Sequence, residues 1–541
     1  MVDTQVLIVG AGPVGLTLAV DLGLRGVRCT LVEQKEAPQF LPKMERCNAR
    51  TMEIFRRMGL ADRIRAAGLP AHCPMDVFIV TSIMEPPLLH LPYPSVSDAR
   101  KEIAASTDAA LPLEPYQLIS QYTLEPFLKS VAEKLPSVTV RYGTEFVDFT
   151  ETPDGVAARL RGDGVTSEIT AHYLAGCDGG ASPIRKQLGI GLKGDGNLLE
   201  LRQALYRCDD LYERIPVGKG RHYHVADAQH TFLILQDSTR HFTLHAVVEK
   251  DSDMVAQFAN TIVMPLPFEM INCGAWRQNL LLADRYGNGS RVFLAGDAVH
   301  LVIPTGGLGM NTGCGDAIDL SWKLAATLAG WGGPNLLKSY EIERRQVGDR
   351  NVAASRFASS GRRKWRSMWR PNIRDNSPEG AETRASLAGV ADVEQRKTNE
   401  MLGAELGYRY VGSPLIAEGQ SADEGADQGP EHNFMDYAPS TYPGVRLPHV
   451  WLRDGTAVQD RVGYGHGYTL LRFAGTRDVT ALTRAFAARG APRAVLDLAD
   501  ERARDVYGYD LILVRPDLHV VWRSNALPDD VGKLAALATG H

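Results

Sequence analysis

Cysteine is sparse in this chain. Seven are scattered through 541 residues (Cys29, Cys47, Cys73, Cys177, Cys208, Cys273 and Cys314), and none forms a Cys-x-x-Cys pair. That spacing excludes a dithiol redox motif and a zinc scaffold, and fits buried thiols in a reduced, cytoplasmic protein. Long hydrophobic runs are also missing: none approaches the roughly 20 apolar residues that a membrane helix needs. No sign of charge dominates, since 59 Lys and Arg stand against 64 Asp and Glu for a net charge of −5. Neither nucleic acid nor an anionic membrane is favoured as a partner. The N-terminus has no basic region leading into an apolar signal core, so no export signal is expected. No set of metal ligands can be assembled.

What is present is a globular composition, 44% hydrophobic and 23% charged, at a length that suggests about three domains. Residues 5–9 read as a short buried strand. Gly10-Ala11-Gly12-Pro13-Val14-Gly15 follows, then an apolar-periodic helix to about residue 25 and a strand at 28–32 ending on Glu33. Strand, glycine turn, helix, strand and acid together make a dinucleotide fingerprint. Gly10 makes the turn, Gly12 lets a pyrophosphate approach the helix N-terminus, and Gly15 lets helix and strand pack closely. Glu33 accepts bonds from ribose hydroxyls and repels a 2′-phosphate, which points to FAD or NAD rather than NADP.

A second cradle lies at residues 291–323. A short apolar strand runs into Gly296 and Asp297. Pro304, Gly306, Gly307 and Gly309 follow, and a helical pattern then continues to about Gly330. Between the two cradles, Lys43, Glu45, Arg46 and Arg50 crowd the start of a helix, and Gln121 lies near the start of another. Residues 138–150 and 156–161 read as hairpin strands. Cys177-Asp178-Gly179 leads into a helix start with Ser182, Pro183 and Arg185. Residues 190–285 alternate with a β period and are expected to form a wall over the cofactor. Within that wall, Arg221 and Tyr223 share one face of a strand and His222 and His224 the other, for which cross-strand packing is the expected role. Helices are expected at 336–370 and 386–406. Residues 417–432 read as an acidic mobile linker, and residues 450–541 as a small α/β unit.

Four motifs occur in order: Gly10 to Gly15 with Glu33; Cys177-Asp178-Gly179 with Arg185; Gly296-Asp297; and Pro304-x-Gly306-Gly307-x-Gly309-Met310-Asn311 with Asp316 and Trp322-Lys323. Over residues 1–370 the chain resembles the single-component FAD-dependent aromatic hydroxylases, among them the phenol and polyketide hydroxylases. The resemblance implies an α/β architecture: a Rossmann-like FAD-binding domain (1–190 and 286–400), an inserted β-sheet substrate domain (191–285), and a linker with a thioredoxin-like C-terminal domain (401–541).

It also implies a function. FAD is reduced by NADH or NADPH and reacts with O2 to a flavin C4a-hydroperoxide that hydroxylates a phenolic aromatic. Gly10, Gly12, Pro13, Gly15 and Glu33 would hold the ADP half of FAD. Lys43, Arg46, Gln121, Asp178 and Arg185 would support the cofactor, and Gly296 and Asp297 its ribityl chain. Pro304, Gly307, Leu308, Gly309, Met310 and Asn311 would flank the reactive ring. Leu308 stands where relatives often carry glutamine, and Lys43 replaces a common arginine. In the phenol hydroxylase branch an aspartate stands six residues before the threonine of an Arg-Thr pair; Glu45 holds that position here and is the candidate base. Tyr223 and Arg221 are further candidates for touching the substrate. Relatives of this kind are usually dimers, so a homodimer is expected. The alternatives are a Baeyer–Villiger or epoxidising oxygenase on the same scaffold, and a non-catalytic flavin-binding module.

Overall fold

Short β-branched runs, too apolar for either face to meet water, build a parallel sheet at the centre of the N-terminal part. The computed structural model describes residues 2–40, 43–418, 433–465, 467–473, 475 and 477–541. Its parallel strands lie in the order Val138–Arg141, Cys29–Val32, Thr4–Val9, Val165–Gly176 and Val292–Leu294. The strand Val165–Gly176 does double duty. Its first half pairs antiparallel with Gly155–Gly162, and its last residues pair parallel with Thr4–Val9. Residues 138–150 are two strands rather than one, because the chain turns at Gly143, whose φ is +64°.

A second, seven-stranded sheet stands over this domain, in the order Glu269–Arg277, Glu200–Arg207, His241–Ala246, Phe232–Leu235, His222–Val225, Val77–Val80 and Leu89–Leu91. Residues 191–285 therefore do not build it alone; two edge strands come from before residue 190. Cross-strand pairs place His222 opposite Ile234, His224 opposite Phe232, and Phe232 opposite His245. These side chains share one face. The other face carries Phe78, Tyr223, Leu233, Phe242 and Leu244, packed against Met254 and Phe258 of the helix Asp253–Ile262. The sheet thus turns an apolar back to its own helix and a histidine-rich front to the rest of the protein.

The helix Gly309–Leu328 leaves the second glycine loop, and the helix Pro334–Arg366 returns beside it. At 33 residues the latter is about 50 Å long, enough to run from beside the parallel sheet to the front of the wall. Residues 386–406 are not one helix but parts of three, Pro378–Glu394, Arg396–Asn399 and Leu402–Leu406. Most of the acidic 417–432 stretch lies outside the described residues.

The C-terminal unit has strand order Arg493–Asp497, Tyr468–Arg472, Leu511–Val514, Val520–Ser524, the first pair parallel and the others antiparallel. With helices Thr480–Ala487, Glu501–Tyr507 and Val531–Thr539 this is the β-α-β-α-β-β-α topology of a thioredoxin-like domain. Its last two strands form a hairpin, Leu511–Val514 with Val520–Ser524.

Candidate active site

The first glycine loop is shaped for a ligand. A Cβ on Gly10 would sit 2.3 Å from the Cys177 carbonyl oxygen, and one on Gly15 would sit 2.0 Å from the Gly10 carbonyl oxygen. The fold itself requires those two glycines. At Gly12 the nearest atom to an added Cβ is Glu125 Oε1 at 4.0 Å, and the backbone is extended, with φ −70° and ψ 176°. Nothing in the protein needs glycine there, so the requirement comes from what approaches the loop. Gly12 caps the helix Pro13–Leu24 without a side-chain hydrogen bond, so its first N–H groups stay free of side-chain caps. Glu33 accepts from Ala11 N at 2.9 Å and Lys35 N at 3.1 Å, one bond to each oxygen. A carboxylate offers about four acceptor sites, so both oxygens can still take a ribose hydroxyl. These residues fit the ADP half of FAD.

The second motif supports the third. Asp178 Oδ2 accepts from Ile184 N at 3.2 Å, while its Oδ1 is buried without a partner. Burial pushes its carboxyl up, against the hydrogen bonds of Ser182 and Ile184. Arg185 donates to the Ala298 carbonyl at 2.8 Å and the Gly180 carbonyl at 3.0 Å. It therefore ties the Asp178 loop to the turn Gly296–Ala298, where Asp297 presents an exposed carboxylate. Gln121 Nε2 donates to Glu125 at 2.6 Å, beside Gly12. Burial pushes the carboxyls of Glu125 and Asp297 up, and the charge of Lys43 works against it at both.

The glycine loop itself is clamped to the segment that carries Glu45. Arg46 donates to the Gly306 carbonyl at 2.7 Å, and a Cβ on Gly307 would meet Arg46 Nε at 2.7 Å. Asn311 donates to the Gly307 carbonyl at 2.6 Å and the Arg46 carbonyl at 3.2 Å, and accepts from Asn48 N at 2.9 Å. The Pro304 carbonyl closes the turn by accepting from Gly307 N at 2.8 Å. Gly309 starts the helix, and Met310 receives the Cys314 thiol contact at 3.3 Å. Leu308 does not face the cofactor side. It is 1% exposed, and its side chain packs with Ala354, Ala358, Met401 and Ala404. Only its backbone remains available to a flavin.

Glu45 meets His222. The ring Nε2 lies 3.1 Å and 3.0 Å from the two carboxylate oxygens. Burial alone would raise the Glu45 carboxyl, but His222, Arg221 and Arg46 outweigh it and hold it well below the usual carboxylate range. Burial pulls His222 down to about 4, against Glu45 and with Arg221 adding. At neutral pH the pair is therefore a carboxylate accepting from a neutral imidazole, and the charges that keep it ionised are the two arginines. Arg221 is 3% exposed and stacks over Tyr116, with Arg46 on the same ring at a similar distance (5.5 and 5.6 Å). Its Nε and Nη1 are buried without partners.

Tyr223 does not join this group. Its hydroxyl donates to the Gly218 carbonyl and accepts from Gly220 N, both at 2.9 Å, and its ring stacks on Phe78 in the apolar back of the wall. The pleat sends it away from the flavin side, so its candidacy for the substrate lapses. Among the described residues no cluster suits a metal ion.

His222 was not singled out as a site residue from sequence, nor were His245 and Arg362, which meet the Phe232 ring at 5.8 Å edge-on and at 4.8 Å over its face. His224 stacks on Phe232 at 4.0 Å, as cross-strand packing predicts, and His222 contacts the same ring edge-on. The grip of His222 on Glu45 spans 177 residues, and no local pattern announces it. The face it shares with His224 and Phe232 was the available signal.

A Rossmann-like domain with a free helix N-terminus, a ribose acid and a second glycine loop under a polar wall defines a flavin-dependent oxidoreductase. Comparison with known proteins narrows this. Residues 3–355 match the family described as FAD binding domain, and residues 440–539 the one described as aromatic-ring hydroxylase, C-terminal. The chain is 32% identical to the FAD-dependent monooxygenase apdD of Emericella nidulans, covering 99% of this chain and 90% of that protein. It is 33% identical to the aklavinone 12-hydroxylase DnrF of Streptomyces peucetius, covering 87% and 91%. It superimposes on the rebeccamycin biosynthetic enzyme RebC with reduced flavin with a TM-score of 0.88, at 32% identity and 99% coverage of both chains. The chain belongs to the FAD-dependent monooxygenases of the aromatic-ring and polyketide hydroxylase family, and FAD is its cofactor.

Proposed function

We propose that the protein hydroxylates a phenolic aromatic ring with O2, drawing electrons from NADH or NADPH. The observation that carries the reading is the Glu45–His222 pair: an ionised carboxylate held beside the clamped glycine loop, under a wall of aromatic and neutral imidazole rings. Bound FAD supplies the oxygen-activating chemistry. The residues of this chain do the rest. Gly12, the helix N-terminus and Glu33 bind the ADP half, and Asp297 bonds the ribityl chain. The backbone of residues 306–309 borders the ring, with Asn311 and Arg46 fixing its distance from Glu45. Glu45 takes the phenolic proton, which makes the ring carbon more nucleophilic. His222 holds Glu45 in place, and Arg221 and Arg46 keep it charged. Free thiols and balanced charge support a cytoplasmic location, and a homodimer is the expected assembly.

The test is direct. FAD-loaded protein is assayed for NADH and NADPH oxidation across a panel of phenols and polycyclic hydroxyarenes, with products analysed by mass. Products gaining one oxygen, formed only with the aromatic present, are expected. Conversion of ketones to esters, or no ligand-stimulated oxidation at all, would overturn the reading.

A further inference from the structure

The C-terminal domain meets the FAD-binding part along a seam with more guanidinium groups than carboxylates to match them. A small, solvent-open cleft of about 20 Å³ lies in that seam, lined by Asp21, Arg25, Arg50, Arg57, Tyr464 and Asp517 among others. Asp21 is taken by Arg25 at 2.7 Å and by the Tyr464 hydroxyl. The Asp517 carboxylate is taken by Arg515, at 2.6 and 2.8 Å. Glu53, just behind, is shared between Arg446 at 3.3 Å and Arg50 at 3.6 Å. Arg57 is left over. It makes no ion pair among the described residues, and its one side-chain hydrogen bond goes to the Pro516 carbonyl at 3.0 Å. The Nε atoms of Arg50 and Arg57 are both buried without partners. Burial, reinforced by Arg25 and Arg50, pulls Arg57 down to about 10, as expected for a cation held among cations.

We propose that this cleft is an oxyanion site, in which Arg57 and Arg50 bind a phosphate-class ion between the two domains. Both guanidiniums stand on the helix Ala49–Arg57, about two turns apart on one face. Planar N–H forks of this kind match the oxygens of a tetrahedral anion. The carboxylates that line the cleft do not oppose it, because each is already neutralised by its own arginine. The ion would also bear on the active site. The helix Ala49–Arg57 starts at Asn48, which is bonded to Asn311 of the flavin loop. Arg57 stands at the far end of the same helix, so an anion bound between it and Arg50 braces the helix from end to end.

The FAD-loaded protein is titrated with inorganic phosphate at constant ionic strength, chloride making up the balance, while Tm is followed. A saturable rise is expected for the wild type. It is lost in Arg57→Gln and kept in Arg240→Gln, a substitution of an exposed arginine in the substrate sheet. In chloride alone Arg57→Gln melts no lower than the wild type, because the substitution removes a repelled cation. Phosphorus NMR of phosphate with the wild-type protein gives a second reading that needs no variant: line broadening that excess sulfate reverses. A response to glycerol 3-phosphate but not to inorganic phosphate keeps the oxyanion chemistry and assigns the site to a phosphomonoester. A wild type that responds to phosphate no more than to chloride, or an Arg57→Gln variant that responds equally, would sink the proposal.

Discussion

Replacing Glu45 by glutamine isolates charge from shape. The side chain keeps its size, and its amide oxygen can still accept the His222 Nε2–H that now reaches both carboxylate oxygens at 3.0 and 3.1 Å. The fold and the flavin loop, which is clamped through Arg46 and Asn311, should be unaffected. The chemistry should not be. A phenol with a pKa near 10 is ionised to about one part in 10³ at pH 7. If Glu45 takes that proton, its loss lowers kcat/KM by up to ~10³-fold, within the range known for general bases. The deficit should follow the substrate. It should shrink for phenols acidified by electron-withdrawing groups, and for ordinary phenols as the pH nears their own pKa. In the wild type, kcat/KM should show no limb from Glu45 between about pH 5 and 8, because its carboxyl is held below the usual range and stays ionised throughout. The assay is NAD(P)H oxidation with product quantified separately, so that uncoupled turnover is not counted. A Glu45→Gln enzyme that hydroxylates an ordinary phenol at full rate at pH 7 would refute the reasoning.

Gly12→Ala should leave the apoprotein as stable as wild type yet weaken FAD binding at least ~10-fold, a change of about 1.4 kcal/mol, read by titrating apoprotein with FAD. The basis is the 4.0 Å of clearance at Gly12. Leu308→Gln should cost roughly 1–3 kcal/mol in chemical unfolding by burying an unpaired amide, with no gain in flavin affinity, since the side chain points into an apolar cluster. His449 is 2% exposed, with neither ring nitrogen bonded, and burial brings it down to about 3. Its folded pKa lies below the unfolded value of about 6.5, so stability is lost as pH falls below about 6.5, by about 1.4 kcal/mol per unit at most. Thermal melts of His449→Phe should show a flatter acid limb. Arg515→Met removes a fully buried cation from Asp319, Glu343 and Asp517, and should destabilise the protein by about 3–5 kcal/mol; an unchanged urea midpoint would contradict this.

The features legible in the sequence are those written in short windows. Gly10, Gly12, Gly15 and Glu33 sit within 24 residues, and the geometry they imply is a local one: a turn, a helix start and the end of the next strand. The alternation at residues 222–224 likewise separates Tyr223 from the histidines before any coordinates exist. What the windows do not contain is the partner. Leu308 points into a cluster because Ala354, Ala358 and Ala404 arrive from two later helices. Had a polar element packed there, the same loop would have presented the side chain otherwise. His222 looks like one more packed strand residue until Glu45 is brought beside it. Helix boundaries fail for a related reason. The helical pattern over 386–406 continues through Gln395 and Glu400, but Gln395 is bonded to Trp365 and His224, so tertiary contacts interrupt what periodicity joins.

The C-terminal domain carries no cysteine, yet it is not a loosely attached appendage. Its hairpin turn drives Arg515 between Asp319 of the helix Gly309–Leu328 and Glu343 of the helix Pro334–Arg366, where Lys323 completes the group at 2.7 and 2.6 Å. One turn back along the first helix, Asp316 is held by Arg344 at 2.8 Å, and accepts from His300 at 2.9 Å and from Gly296 N at 3.1 Å. Gly296 opens the turn that carries Asp297. The helix Gly309–Leu328 therefore links the C-terminal domain to the turn assigned to the ribityl chain, and Arg50, which donates to the Asp517 carbonyl at 2.9 Å, joins it to the helix that follows Glu45. Buried ions of this kind are a poor way to gain stability, since apolar side chains of the same volume often do better. They are an effective way to fix one arrangement, because a shift of one residue would leave several charges unpaired in the interior. The two segments that the site must hold in register, the Asp297 turn and the segment of Glu45, each adjoin a helix that this domain grips.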